Sequence, residues 1–169
     1  MQQSTLTDER ETLLSALTKQ RNHVLGILEG LSDDDLRRPV LPSGWNCVGL
    51  VNHLAFDVER FWFQAVMAGS ETVINGLAAA GNAWQVPADF PPQDILELYR
   101  QEIERSNAII TSMSAETAPA WWPDFFGSFR FDNLREVLLH VITETACHAG
   151  HLDAARELID GTKWMVLTD

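Results

Sequence analysis

LLHVITETACHAGHLDAARELIDG, residues 138–161, is the stretch that decides the fold. Its helically spaced apolar residues, with those just before it, form one stripe: Leu134, Val137, Leu138, Val141, Ile142, Ala149 and Leu152. Beside this stripe run His140, Glu144, His148 and His151, which fall within about 80° of one another on a helix that turns about 100° per residue. A polar stripe at the edge of an apolar face points towards a neighbouring helix or a cleft. The stretch therefore predicts a long core helix with a candidate metal site along its edge.

Three further segments show the apolar spacing of long helices, so that four long helices are predicted in all: about 7–29, 48–68, 95–113 and 133–160. Asn46 is a suitable N-cap for the second helix, Asp132 or Asn133 for the fourth, and Gly161 is a natural C-cap for the fourth. The connectors are long, and no strand pattern or internal repeat interrupts them. We therefore expect an all-α protein, a four-helix bundle with long inter-helix loops, formed as a single domain over residues 1–169.

Composition excludes several classes of function. The chain has 169 residues, of which 46% are hydrophobic and 21% charged, an ordinary balance for a globular protein. Its formal net charge of -12 argues against nucleic-acid binding and against anionic membranes. No apolar run is long enough to span a bilayer, the N-terminus does not resemble a signal peptide, and two cysteines make no disulfide framework. These features predict a soluble cytoplasmic protein.

His53, in GLVNHLAFDVERFW (residues 49–62), is the natural partner for the polar stripe of the fourth helix. Four of the five histidines then belong to one set, and only His23 stands apart. Glu144 and His148 at i,i+4 can reach one ion, or they form an ordinary helix pair worth a few tenths of a kcal/mol. A lone histidine such as His53 on a half-apolar helix is more often a hydrogen-bonded core residue than a metal ligand. The residues by themselves leave two interpretations, a metal site and a buried polar network.

The combination of a histidine in helix two with ETACHAGHLDAARELIDG, residues 144–161, resembles the DinB-like superfamily. Within it, the chain is similar to the mycothiol-dependent branch of maleylpyruvate isomerases and mycothiol S-transferases. The resemblance implies a divalent metal at one end of the bundle, bound by His53, Glu144 and His148. It also implies that His151 supports a ligand or faces substrate, and that His140 lies outside the ligand set. Zinc is the first expectation for the metal, with nickel, iron(II) and manganese as alternatives.

The resemblance further implies a thiol transferase. A mycothiol-like thiol would be activated on the metal and would attack an electrophile, and a homodimer is plausible for the family. The alternative is a non-catalytic metal-binding or stress-response protein of the same fold. Two departures bear on this expectation: Cys147 stands where relatives often carry arginine, and the sequence printed here lacks the additional C-terminal domain of the isomerases. The isomerase reaction is therefore not expected.

Several other residues have two possible roles. Cys47 and Cys147 are candidate nucleophiles, although a structural role is expected, with Cys147 facing away from the site. Asp57 and Glu59 either orient a ligand imidazole or are solvated, and we expect solvation. The aromatic connector, residues 121–131, either walls the pocket or packs against the core, and we expect packing.

Overall fold

The computed structural model describes residues 3–165, with side chains from residue 9 onwards, and this part of the chain is helical with no strand. Its helices are α1 (Gln3–Ile27), α2 (Asp33–Arg37), α3 (Cys47–His53, continued by a π-helical segment, Leu54–Met67), α4 (Glu71–Leu77), α5 (Pro92–Ser112) and α6 (Leu134–Asp160). A short 3₁₀ turn, Asp124–Phe126, lies in the last connector. The four long helices α1, α3, α5 and α6 confirm the predicted all-α bundle. None of the described helices combines the length and the apolar character that crossing a bilayer requires.

The helix ends follow the predicted caps. The Asn46 side chain accepts a hydrogen bond from the Gly49 N–H at 2.8 Å, and the Asn133 side chain accepts one from the Glu136 N–H at 3.1 Å. Gly161, at a φ of +80°, ends α6 in the left-handed conformation. These local signals place both helices that carry candidate ligands to within a residue or two of their predicted bounds.

The structure differs from the prediction at some helix boundaries and in two of the connectors. The first helix ends at Ile27, earlier than predicted, and the chain turns through Gly30 at a φ of +78°. The third helix begins at Pro92, before the predicted start, because proline is well tolerated in the first turn of a helix. The short helices α2 and α4 lie within segments that were predicted as connectors. α4 has only seven residues and none of them is buried, so its apolar positions are too few to predict a helix.

The bundle packs as two pairs of helices. α1 packs mainly on α6, and the π-helical segment of α3 packs mainly on α5. The core between them is fully buried and includes Leu17, Val24, Val51, Phe63, Tyr99, Leu138, Val141 and Leu152. The π register begins directly after His53 and closes with a hydrogen bond from the Ala68 N–H to the Phe63 carbonyl at 3.0 Å. Such i→i−5 segments are uncommon and are frequent at functional sites.

A buried ion pair joins α1 to α3. The Arg21 guanidinium donates two hydrogen bonds of 2.7 Å to the Glu59 carboxylate, and a third of 2.8 Å to Asn107 Oδ1 on α5. Arg21 and Glu59 are 1% and 0% exposed, so the expectation that Glu59 is solvated is wrong. Because Glu59 lies among apolar residues of its helix, its carboxylate needs a partner. That partner comes from a distant helix, which the local sequence does not reveal.

Replacing Arg21 by alanine should destabilise the fold strongly, because the Glu59 carboxylate would remain buried without its partner. We expect the free energy of unfolding to fall by about 3–5 kcal/mol, measured by urea denaturation. Arg100→Ala is the matched control, since Arg100 forms only an exposed pair with Glu97 at 3.7 Å, and its loss should not exceed about 1 kcal/mol. Equal losses for the two variants would contradict this role of the buried pair.

Candidate metal centre

The structure brings together His53, Glu144 and His148, here called the ligand trio. His53 is the last α-helical residue of α3, and Glu144 and His148 lie one turn apart on α6. One ligand atom from each residue can be chosen so that all three atoms lie within 4.8 Å of one another. His148 Nε2 is 3.5 Å from Glu144 Oε2, and the rings of His53 and His148 meet edge to face with centroids 5.1 Å apart. All three side chains are partly buried.

The donor set and its spacing fit a divalent cation. Two ligand atoms bound tetrahedrally to zinc at about 2.0–2.2 Å are about 3.3–3.5 Å apart, which matches the 3.5 Å between His148 and Glu144. The separations of the remaining ligand atoms do not exceed 4.8 Å. Among the described residues, the trio is the one group of His, Cys, Asp or Glu side chains with such spacing. Three protein ligands would leave a coordination position for water or substrate.

Each imidazole of the trio has a polar neighbour at its Nδ1 atom. His53 Nδ1 lies 2.9 Å from Asp57 Oδ2, so that Nδ1 donates to the carboxylate and the Nε2 lone pair is left for the centre. His148 Nδ1 lies 3.4 Å from His151 Nδ1, while its Nε2 faces Glu144. Asp57 is exposed, as expected, and its carboxylate is also within hydrogen-bond distance of His53, the geometry of a residue that orients the ring.

Burial is the main cause of the low pKa of His148, and the nearby His53 lowers it further, whereas Glu144 partly opposes the shift. The imidazole of His148 therefore stays neutral to a lower pH than an ordinary histidine. A neutral imidazole has a lone pair to give to a cation. A proton therefore competes less for this lone pair than it does at an ordinary histidine.

The other two histidines of the polar stripe have different surroundings. His140 lies between aromatic rings, with ring centroids 4.7 Å from Trp62 and 5.3 Å from Phe131, and burial lowers its pKa. His151 is exposed, and it contacts His148 and, at 6.1 Å between centroids, Trp45. His140 is therefore part of an aromatic cluster, whereas His151 lies beside the trio.

Two tryptophans from loops complete the surroundings of the trio. The Trp84 ring stacks on His53, with centroids 4.5 Å apart and planes inclined by 21°, and it lies 5.6 Å from His148. Trp45 reaches the trio through His151. The ring contacts of the aromatic connector run instead to Phe61, Trp62 and His140. That connector packs against the bundle, as expected.

A close backbone contact holds the Trp84 loop on α3. A Cβ added at Gly49 would lie 2.3 Å from the Trp84 carbonyl oxygen, so only glycine permits this approach. The Asn52 side chain donates a hydrogen bond to the Ala83 carbonyl at 2.7 Å, and the Trp84 N–H donates to Asn82 Oδ1 at 3.0 Å. Sequence reasoning missed Trp84, although a glycine inside a strongly apolar helix is a signal of such close packing.

Neither cysteine belongs to the trio. Cys47 is buried, and this burial raises its pKa to about 11. Cys147 is a free thiol on the exposed side of α6, as expected from its angle to His148. A buried thiol with a raised pKa is a poor nucleophile, so Cys47 has a structural role.

Comparison with known protein families gives a match over most of the chain. A family model described as Mycothiol-S-transferase matches residues 12–161, which include the whole trio and both tryptophans beside it. The search of curated proteins and the search of solved structures each returned no match.

Substituting Gly49 by alanine tests whether the Trp84 loop is fixed as described. Helix propensity alone would favour alanine by about 1 kcal/mol, but the added methyl group must displace the Trp84 backbone. We expect a net destabilisation of about 1–3 kcal/mol in urea denaturation. Gly76→Ala is the control, because Gly76 is helical and nothing lies within 4 Å of an added Cβ. Stabilisation in both variants would contradict the close contact.

Proposed function

The chain belongs to the mycothiol-S-transferase family, and we propose that it transfers mycothiol, or an equivalent low-molecular-weight thiol, to an electrophile at a divalent cation held by His53, Glu144 and His148. The observation that supports this proposal best is the convergence of three donors from two helices, with one ligand atom from each lying within 4.8 Å of the others. The Nδ1 atoms of both imidazoles are engaged by Asp57 and His151, which directs the Nε2 atoms to a common point. A purely structural zinc site would be closed by a fourth protein ligand.

The cation, when bound, lowers the pKa of a coordinating thiol so that the thiolate is available at neutral pH. The sulfur then forms a bond to the electrophilic carbon, and the leaving group departs with its electron pair. The chain supplies the geometry for this step. Asp57 fixes the ring of His53, Trp84 covers one face of that ring and limits access of water, and exposed His151 is placed to pass the thiol proton to solvent.

We propose zinc as the ion, because two imidazoles and one carboxylate form a typical catalytic zinc set. Nickel, iron(II) and manganese accept similar donors, and availability decides among them as much as affinity does. The free thiols of Cys47 and Cys147 suit a reducing compartment, so we place the reaction in the cytoplasm.

Metal binding should depend on His53 and not on a histidine elsewhere. We expect freshly purified protein to contain about one equivalent of divalent metal by elemental analysis, and His53→Ala to bind zinc at least 100-fold more weakly in calorimetric titration. His23→Ala is the matched control, since His23 pairs with Asp153 at 2.7 Å, away from the trio. Equal zinc affinity in wild type and His53→Ala would overturn the proposed ligand set.

Transferase activity should follow the same residues. With mycothiol and 1-chloro-2,4-dinitrobenzene as electrophile, we expect the metal-loaded protein to accelerate conjugation, and His53→Ala and Glu144→Gln to lower kcat/KM by about 100-fold or more. A chelator should abolish the activity and added zinc should restore it. His140→Ala should retain activity within a few-fold. Tight metal binding without conjugation of several electrophiles would favour the non-catalytic alternative.

A further inference from the structure

A cleft of about 370 Å³ lies between the loop before α3 and the loop that carries Trp84. It is lined by Ser43, Gly44, Trp45, Asn82, Trp84 and Gln85. The volume falls in the range of small-molecule sites, about 300–1,000 Å³. None of the six lining side chains is ionisable, although the chain as a whole has a formal net charge of -12. The cleft is therefore suited to an uncharged ligand.

The two tryptophans place this cleft beside the ligand trio. Trp84 stacks on His53 at 4.5 Å and lies 5.6 Å from His148, and Trp45 contacts His151. A ligand that packs between the two indoles is thus separated from His53 by the indole ring of Trp84. This position permits one end of a molecule to lie in the cleft while the other end reaches the centre.

We propose that this cleft binds the hydroxyl-rich sugar–cyclitol end of the thiol co-substrate, an inference that rests on the proposed thiol transfer. The C–H faces of a pyranose or cyclitol ring pack on indole rings, and its hydroxyl groups bond to amides and hydroxyls. Ser43, Asn82 and Gln85 supply those groups. In mycothiol the sugar nitrogen is acylated by N-acetylcysteine, so the molecule carries no charge beside its thiol.

One wall of the cleft, the loop that carries Trp84, is held by several contacts before a ligand enters. The Asn82 carbonyl accepts a hydrogen bond from the Gln85 N–H at 3.0 Å, and Asn82 Oδ1 accepts one from the Trp84 N–H. With Oδ1 occupied, the NH₂ group of Asn82 is available to donate to a hydroxyl. Asn52 and the close approach at Gly49 fix the same loop to α3. A preformed cleft loses little conformational entropy on binding.

Two other clefts have a different chemistry. One, of about 450 Å³, includes both Asp57 and Arg60, and the other, of about 440 Å³, includes Glu136 and His140. Their ionisable side chains favour charged or ionisable ligands. The Trp45–Trp84 cleft is the uncharged one of the three, and it alone is lined by a ring that stacks on His53.

The first experiment compares two thiols that share one reactive arm. Mycothiol and N-acetylcysteine carry the same sulfur, but only mycothiol has the sugar and cyclitol. In Trp45→Ala we expect KM for mycothiol to rise about tenfold, kcat to change less than twofold, and the ratio of kcat/KM for mycothiol over N-acetylcysteine to fall about tenfold. Phe129→Ala, which alters the cleft beside His140, should leave this ratio unchanged. An unchanged ratio in Trp45→Ala would overturn the inference.

The second experiment separates failure of the cleft from failure of the transferase proposal. Methyl N-acetyl-α-D-glucosaminide is added to ¹⁵N-labelled wild-type protein, and the indole N–H signals are followed by NMR after assignment with Trp45→Phe and Trp84→Phe. We expect these two signals to shift saturably and the Trp164 signal to stay fixed. If no thiol transfer is found, this measurement decides: saturable shifts support the cleft, and their absence refutes it.

Discussion

The buried pair between Arg21 and Glu59 is the interaction on which the position of the candidate site depends. α1 packs on α6, and the π-helical segment of α3 packs on α5, so apolar packing alone forms two pairs of helices. Arg21 reaches from α1 to Glu59 on α3 and to Asn107 on α5, and so joins the two pairs. From α6, Arg156 donates hydrogen bonds to the Ile27 and Glu29 carbonyls at the end of α1, at 2.7 and 2.8 Å. Both helices that carry the trio are therefore aligned on α1.

Apolar packing would not define this alignment by itself. Hydrophobic contacts are non-directional, and aliphatic side chains tolerate sliding of one helix along another at little cost. A bidentate guanidinium–carboxylate pair has one geometry, and within the bundle a shift along the axis would leave two charges buried without partners. Glu102, also 0% exposed, adds a similar constraint between α5 and α3 through Arg60 and Gln64. The polar interior thus limits how His53 can lie relative to Glu144 and His148.

The sequence predicted those features that depend on local patterns. Asn46, Asn133 and Gly161 act within one turn of the chain, and the helix ends they define were found. The i,i+4 spacing of Glu144 and His148 likewise fixes their side-by-side position on α6. Contacts between distant segments carry no such local signal. The burial of Glu59 and the stacking of Trp84 on His53 depend on Arg21 and on a loop 31 residues beyond His53, and sequence reasoning missed both.

The difference between local patterns and distant contacts explains why the sequence predicts the ligand trio better than it predicts the cleft. The trio needs two regular helices held at a fixed offset, which apolar periodicity and a buried ion pair provide. The walls of the cleft come from two irregular loops. The loop that carries Trp84 is held on α3 because Gly49 admits the Trp84 carbonyl and the Asn52 side chain donates a hydrogen bond to the Ala83 carbonyl. In such an arrangement α3 and α6 can keep the same ligand residues in place while the residues of the two loops vary. Substrate preference in this bundle would then be determined by residues 43–45 and 82–85, and metal chemistry by α3 and α6.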